Sequence, residues 1–480
     1  MSSLRAIRLL NSVEAGITDS TGLQTILGDS GRLSEFSVLM SMRGQARRMA
    51  SSPVTVDTFI NCPIVIDAIF ADTDLNNPVV AAAILKKQTA MVLVAADRNT
   101  LGIIMQNPTS AGLLKASQWF ETYIKQIVTN LTPALVSTDY ASLQDLVTDN
   151  AAMGVVFNYA GAVEVLIASP TAMGFIAADL TIMANLVDSS VAVNLIAASS
   201  STMTIMAGEP NAMASIAASS IAMPVIAASS IAMGRVAASA TAFSTFMGSP
   251  YFGASRKKAI ASLVGLTAGD YADVNAMIDD VDALTAIVAN AKAVTALSTD
   301  SAALSYLATS PNLGIVLNST IAMAILGPNA TAMGAFLGNP DAWASLFAST
   351  AVKGYITAST ALVDIVAGNA DLLTYLRTIA ETPLRASTVP DGVSGTYQTF
   401  VGMPAKILTL SVKEAGIAAT FSTFSLSGAT FAGTAAQEDL YVSSQVPKVH
   451  VAAYAGVLWD FKGAGVTAAT QPIVTYVDMS

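Results

Sequence analysis

A ten-residue period runs ten times between Ala151 and Pro250 without losing register. Methionine holds the third position of the unit at Met153, Met173, Met183, Met203, Met213, Met223 and Met233, and the sixth position is apolar from Val156 to Phe246. A short fixed period restricts the fold to a stack of one small unit, each copy touching its neighbours. Positions 2, 3, 6 and 7 are apolar, as in Ala222, Met223, Ile226 and Ala227. That spacing is the stripe of a helix and not the alternation of a strand. Position 9 is mostly a helix-capping residue (Ser169, Asp179, Ser189, Ser199, Ser219, Ser229, Ser239, Ser249), with Glu209 as the exception. Position 10 takes proline at Pro170, Pro210 and Pro250, where a first helical residue needs no donor.

The unit therefore predicts a helix of about eight residues, from position 10 to position 7, then a tight turn, with Gly208 and Gly248 suited to helix ends. Position 4 is small at Gly154, Gly174, Ala184, Ala214 and Gly234, which is expected to let neighbouring backbones approach closely. Pro224 at that position is expected to strain its turn. A helix this short does not persist alone in water, so each must bury its stripe against other units. Two units per coil give a helical hairpin and three give a triangular coil; the sequence leaves both open. A short-stranded β-helix is disfavoured, since alanine and methionine are poor strand formers.

The same grammar recurs at Met91/Val94, Leu101/Ile104 and Ala111/Leu114, and again from Leu284/Ile287 to Leu373/Leu376. The expected organisation is an N-terminal helical docking segment (1–59), a first short-helix array (60–250, interrupted near 118–150), a linker or insert (251–280), a second array (281–378) and a C-terminal β-domain (388–480). Past Pro383 the composition shifts to Val, Ile, Thr, Phe and Tyr punctuated by glycine, which suggests a sandwich of short strands. The fold class is thus mainly α: a solenoid-like array of short helices in ten-residue repeats, with a C-terminal all-β, sandwich-like domain.

Charge and cysteine content narrow the function. The chain is acidic, with a net charge of −10, which argues against a nucleic-acid surface spread along it. Residues 189–208 and 210–234 carry no charge and are long enough to cross a bilayer, but they are rich in serine, keep the ten-residue punctuation and lack flanking basic or aromatic belts, so membrane insertion is not expected. The start, Met1-Ser-Ser-Leu-Arg-Ala-Ile-Arg8, does not read as a secretory signal. Residues 1–52 hold Arg5, Arg8, Arg32, Arg43, Arg47 and Arg48, read either as a solvated helical face or as a docking element for an acidic partner.

Chemistry is sparse. Cys62 is alone, so no intrachain disulfide or cysteine-rich metal site exists, and His450 is the single histidine. Asp279, Asp280 and Asp282 lack the spacing of a calcium loop and read as the cap of the next repeat. Gly463 and Gly465 read as a turn. Asp391, Glu438, Asp439, Asp460 and Asp478 supply carboxylates that spacing does not pair as a glycosidase would need. No catalytic, cofactor-binding or metal-binding residues are assigned, no cofactor is expected, and the chain is not read as an enzyme.

The repeats Ala217-Ala-Ser-Ser-Ile-Ala-Met-Pro-Val-Ile-Ala227 and Ala228-Ser-Ser-Ile-Ala-Met-Gly-Arg-Val-Ala237 resemble those of bacteriophage virion structural proteins of the tail-fibre or tail-associated type. The segment from Gly28-Asp-Ser-Gly-Arg-Leu-Ser-Glu-Phe36 through Arg43-Gly-Gln-Ala-Arg-Arg-Met-Ala-Ser-Ser-Pro53 resembles the stretch that precedes such arrays, and the likeness spans roughly 28–378. The resemblance implies a structural place in the virion, assembled in the host cytoplasm, with no fixed catalytic residues. Implied partners are other virion proteins, copies of the chain itself as a homo-oligomer such as a trimer, and the host surface through the C-terminal domain. A bacterial cell-surface repeat adhesin or scaffold is the alternative.

Overall fold

The computed structural model describes residues 2–71 and 77–379, together with short strand segments between 384 and 478. The chain divides into two compact units, 1–255 and 256–480. Each of them contains the repeat, and thirty-four α-helices lie among the described residues.

In the first unit the decapeptide forms nine-residue helices, such as Pro170–Ala178, Leu180–Asp188, Ser190–Ala198, Ser200–Gly208 and Ser230–Ala238. This is one residue longer than the sequence suggests, because no loop intervenes. A single position-9 residue is both the C-cap of one helix and the N-cap of the next. Ser189, at φ −92 and ψ 108, is typical. One extended residue between two helical ones makes a sharp corner: the chain turns by 103° between Pro170–Ala178 and Leu180–Asp188 and by 103° between Ser190–Ala198 and Ser200–Gly208.

That corner decides the coil. A hairpin of two helices would need near-reversal at every connector, whereas turns of this size bring the chain back over itself after three. Each helix accordingly packs against the third one along the chain: Asn150–Val156 on Leu180–Asp188, Ala160–Ile167 on Ser190–Ala198, Pro170–Ala178 on Ser200–Gly208. The coil is triangular, with each side a helix about 13 Å long. The uncharged stretches 189–208 and 210–234 are broken at these corners, and no single helix among the described residues is long and apolar enough to cross a membrane.

The interior follows from the stripe. In the unit 171–180, Ala172, Met173, Ile176 and Ala177 are buried, and the same four positions are buried in unit after unit. Position 4 instead faces outward, and a Cβ added at Gly174 or Gly234 would meet nothing within 4 Å. Its small residues are therefore not there for close backbone approach, contrary to the sequence reading. Gly208 and Gly248 do stand at helix ends, as the last residue and as the C-cap of their helices, but without a left-handed cap: Gly248 is right-handed, and the described positive-φ glycines are Gly16 and Gly265. With an extended residue following at once, a left-handed cap has no place. Pro224 is accommodated by a late start: its helix, Ala222–Ala228, begins two residues after its neighbours would, so the missing N–H falls in the first turn, where no intrahelical acceptor is lost.

At several connectors the serine uses every polar group it has. At Ser229 the N–H donates to the Ile226 carbonyl (3.2 Å) and the carbonyl accepts from the Met233 N–H (2.8 Å). Its Oγ accepts from the Ala232 N–H (3.2 Å) and donates to the Ala197 carbonyl of the preceding coil (2.6 Å). Ser189 does the same toward the Phe157 carbonyl (2.6 Å) and Ser219 toward that of Val187 (3.1 Å). Those carbonyls belong to helix C-termini, which have no intrahelical partner of their own. One hydroxyl thus caps a helix and staples two coils. Aspartate does only the first, having no proton to give; asparagine does both, as Asn369 does between the Leu372 N–H and the Leu337 carbonyl.

Stacking begins earlier than the sequence boundaries imply. Arg43–Ser51 already packs on Asn77–Leu85, so residue 59 is not a structural break. Residues 118–150 do not interrupt the stack either: the longer helix Phe120–Leu131 lies between Gln88–Ala96 and Ala160–Ile167. The segment read as a linker at 251–280 contains the thirteen-residue helix Phe252–Val264. In the second unit the pattern resumes, with Ala283, Leu284, Ile287 and Val288 buried and Ser301–Thr309 packed on Ala330–Leu337. The sandwich-like domain expected at 388–480 falls for the most part outside the described residues; the longest strand segments there, Lys406–Glu414 and Pro472–Asp478, pair antiparallel.

Candidate functional site

The residues with chemical potential are largely occupied in holding turns. Asp280 accepts from the N–H groups of Asp282 (2.9 Å) and Ala283 (3.1 Å) and from the Tyr271 hydroxyl (3.0 Å). The Ala283 N–H, then the Tyr271 hydroxyl, holds its carboxyl below the usual range. Tyr271 is pushed above the usual phenol value by lost hydration and then by that same carboxylate. Asp279 accepts from the Tyr306 hydroxyl (2.6 Å), which raises Tyr306 in turn. The aspartates are thus a cap and two tyrosine anchors. Among the described residues no group of three or more His, Cys, Asp or Glu is placed to hold a metal ion.

Cys62 is buried and its Sγ donates to the Gln24 Oε1 at 3.2 Å. Burial pushes the thiol up, away from the reactive thiolate. His450, Gly463, Gly465, Asp391, Glu438 and Asp439 lie outside the described residues. Asp460 and Asp478 stand on separate strands, Leu458–Lys462 and Pro472–Asp478.

The structure reveals a duplication that the repeat reading passes over. Residues 120–149 run as a long helix, a single 3-10 turn (Ser137–Asp139), an Asp-Tyr-Ala turn and the short helix Leu143–Val147. Residues 252–280 run the same way: a long helix, a 3-10 turn (Ala268–Asp270), Asp-Tyr-Ala and the short helix Val274–Asp279. In both, a lysine of the long helix pins the turn. The Lys125 Nζ donates to the Tyr140 carbonyl (2.6 Å), and the Lys257 Nζ donates to the carbonyls of Tyr271 (2.8 Å) and Ala272 (3.2 Å). The signal was present as Phe120/Phe252, Lys125/Lys257 and Asp-Tyr-Ala at 139–141 and 270–272. It is hidden by its spacing, which is unrelated to ten.

The N-terminal arginines are mostly unengaged. Arg48 pairs with Glu14 and donates to Asn11 Oδ1 (2.7 Å), fastening two helices. Arg5, Arg8, Arg32, Arg43 and Arg47 are exposed. Two corner grooves lie in the same region. One, of about 430 Å³, is lined by Ala50, Ser51, Pro53, Val56, Val79 and the turn at Lys86-Lys87. The other, of about 240 Å³, runs from Ile60 and Pro63 to Leu93 and Asp97. Compared with known proteins, the sequence matches no family model and no curated relative.

Proposed function

We propose that the protein is a structural component of a bacteriophage virion, a repeat-built fibre, collar or tail-associated spacer. On this reading residues 1–59 dock on the particle and 388–480 bind another virion protein, a further copy or the host surface, in a homo-oligomer such as a trimer. It is not an enzyme. One observation carries the reading: the conspicuous polar residues of the repeat are committed to capping helices and stapling coils, so the repeat's chemistry serves stiffness and length. A solenoid of that kind converts residues into reach through neighbour contacts alone. The resemblance of 28–378 to phage structural repeats agrees with it. Mass spectrometry of purified particles of the phage that encodes the chain should find it at a fixed copy number per virion. Its absence from such particles, or its recovery on a bacterial surface instead, would overturn the proposal.

A further inference from the structure

We infer that the corner groove beside Lys86 is a docking site for an amphipathic, acidic helical segment of another protein. The groove lies where the Arg43–Ser51 to Pro53–Ile60 corner stacks over the turn that follows Asn77–Leu85. Its floor is apolar: Pro53, Val56, Val79, Ala82 and Ala83. Val79, on that floor, is 40% accessible and so open to a partner.

Its rim is basic. Lys86 and Lys87 stand at one end. Arg43 and Arg47 lie two turns and one turn before Ser51 on the same face of their helix, and both are exposed. No carboxylate lines the groove; Asp57 reaches Lys87 from outside it (3.4 Å). The Lys86 turn is held in place from behind, since its carbonyl accepts from the Trp119 Nε1 (3.0 Å) and that of Leu85 from the Ser117 Oγ (2.7 Å). The backbone of that turn is therefore preorganised, which lowers the ordering cost of binding.

The neighbouring groove gives the contrast. It is built at the next corner in the same way, with Pro63 in place of Pro53, yet it carries Asp97 and no cation. The basic rim is thus a property of one corner and not of the architecture. Lys87 is shared with Asp57, but Lys86 and the two arginines leave an excess of cations beside one apolar cleft, which is matched by a ligand of opposite charge with one apolar face.

The test uses the full chain and two fluorescein-labelled helical peptides of 18 residues sharing one leucine face, one with glutamate on its polar face and one with lysine. Fluorescence anisotropy should show the glutamate peptide bound, at least tenfold more weakly in 0.5 M than in 0.05 M NaCl, and the lysine peptide unbound. The double variant Arg43→Glu/Arg47→Glu, and separately Lys86→Glu, should weaken binding tenfold or more. Val79→Asp, an exposed change, should do so with unaltered circular dichroism. Asp97→Lys in the second groove should change nothing. Equal binding of both peptides, binding of neither, or indifference to the rim variants would overturn the inference. So would an oligomer of the wild-type chain that dissociates in the Arg43→Glu/Arg47→Glu variant, which would make a second copy the occupant.

Discussion

Replacing Ser229 by alanine removes two interactions through one atom. The Ala232 N–H loses its cap acceptor, and the Ala197 carbonyl, on a residue only 4% exposed, loses its donor. A lost serine cap costs about 1 kcal/mol and an orphaned buried carbonyl about 1–3 kcal/mol. Together they amount to about 3 kcal/mol, or roughly 100-fold in the equilibrium for local opening. Ser229→Asn keeps both functions and should cost under about 1 kcal/mol, whereas Ser229→Asp keeps the cap alone and should fall between. Glu209 is the natural converse, a connector whose side chain caps nothing, so Glu209→Ser should stabilise by about 1 kcal/mol. Amide exchange of residues 230–238, read by mass spectrometry of intact variants, measures local opening without assuming that an array unfolds in one step. Equal exchange in the alanine, aspartate and asparagine variants would refute the double role of the connector.

Other expectations follow from the same geometry. Gly234→Ala fills open space on a helix exterior and should stabilise by roughly 0.5–1 kcal/mol, while Gly327→Ala would drive a methyl into the Tyr355 ring and should destabilise in urea melts. Lys125→Met and Lys257→Met each remove a charged donor from a turn carbonyl and should cost about 1.5–3 kcal/mol, with matching losses because the two turns are equivalent. The Asp280 carboxyl is held down, so its stabilising effect is present above the ordinary carboxylate value and is lost as pH falls through its lower folded value. Tyr271 is held up, so its effect is present below the ordinary phenol value and is lost as pH rises through its higher folded one. Ultraviolet titration near 295 nm should show a late-ionising tyrosine class that shrinks in Tyr271→Phe and shifts down in Asp280→Asn.

How much of this was legible depends on which interaction set each feature. The helices, their caps and their buried stripe are local, and Ala222, Met223, Ile226 and Ala227 announced them. The number of helices per coil was not legible, because it is set by the φ and ψ of a single residue such as Ser189, and a serine there is compatible with several turns. The inter-coil bond escaped for a related reason. A cap explains a serine completely from sequence, so nothing calls for the second bond, 32 residues back, to the Ala197 carbonyl. Position 4 was misjudged because small residues suit both a tight interface and an exposed surface; at Gly174 the second holds. The basic corner was visible only as scattered arginines, since Arg47 and Lys86 are brought near one groove by the stack of three.

The central claim is that three helices make one coil, and a chemical crosslink tests it most directly. The Asn185 Nδ2 reaches the Asn150 Oδ1 at 2.6 Å, 35 residues away in sequence. In a Cys62→Ala background, Asn150→Cys with Asn185→Cys should form a disulfide under mild oxidation, seen as a mass loss of about 2 Da on intact protein, while Asn150→Cys with Phe175→Cys should stay reduced. Crosslinking of the 150–175 pair with none at 150–185 is what a coil of two helices requires, and it would contradict the account.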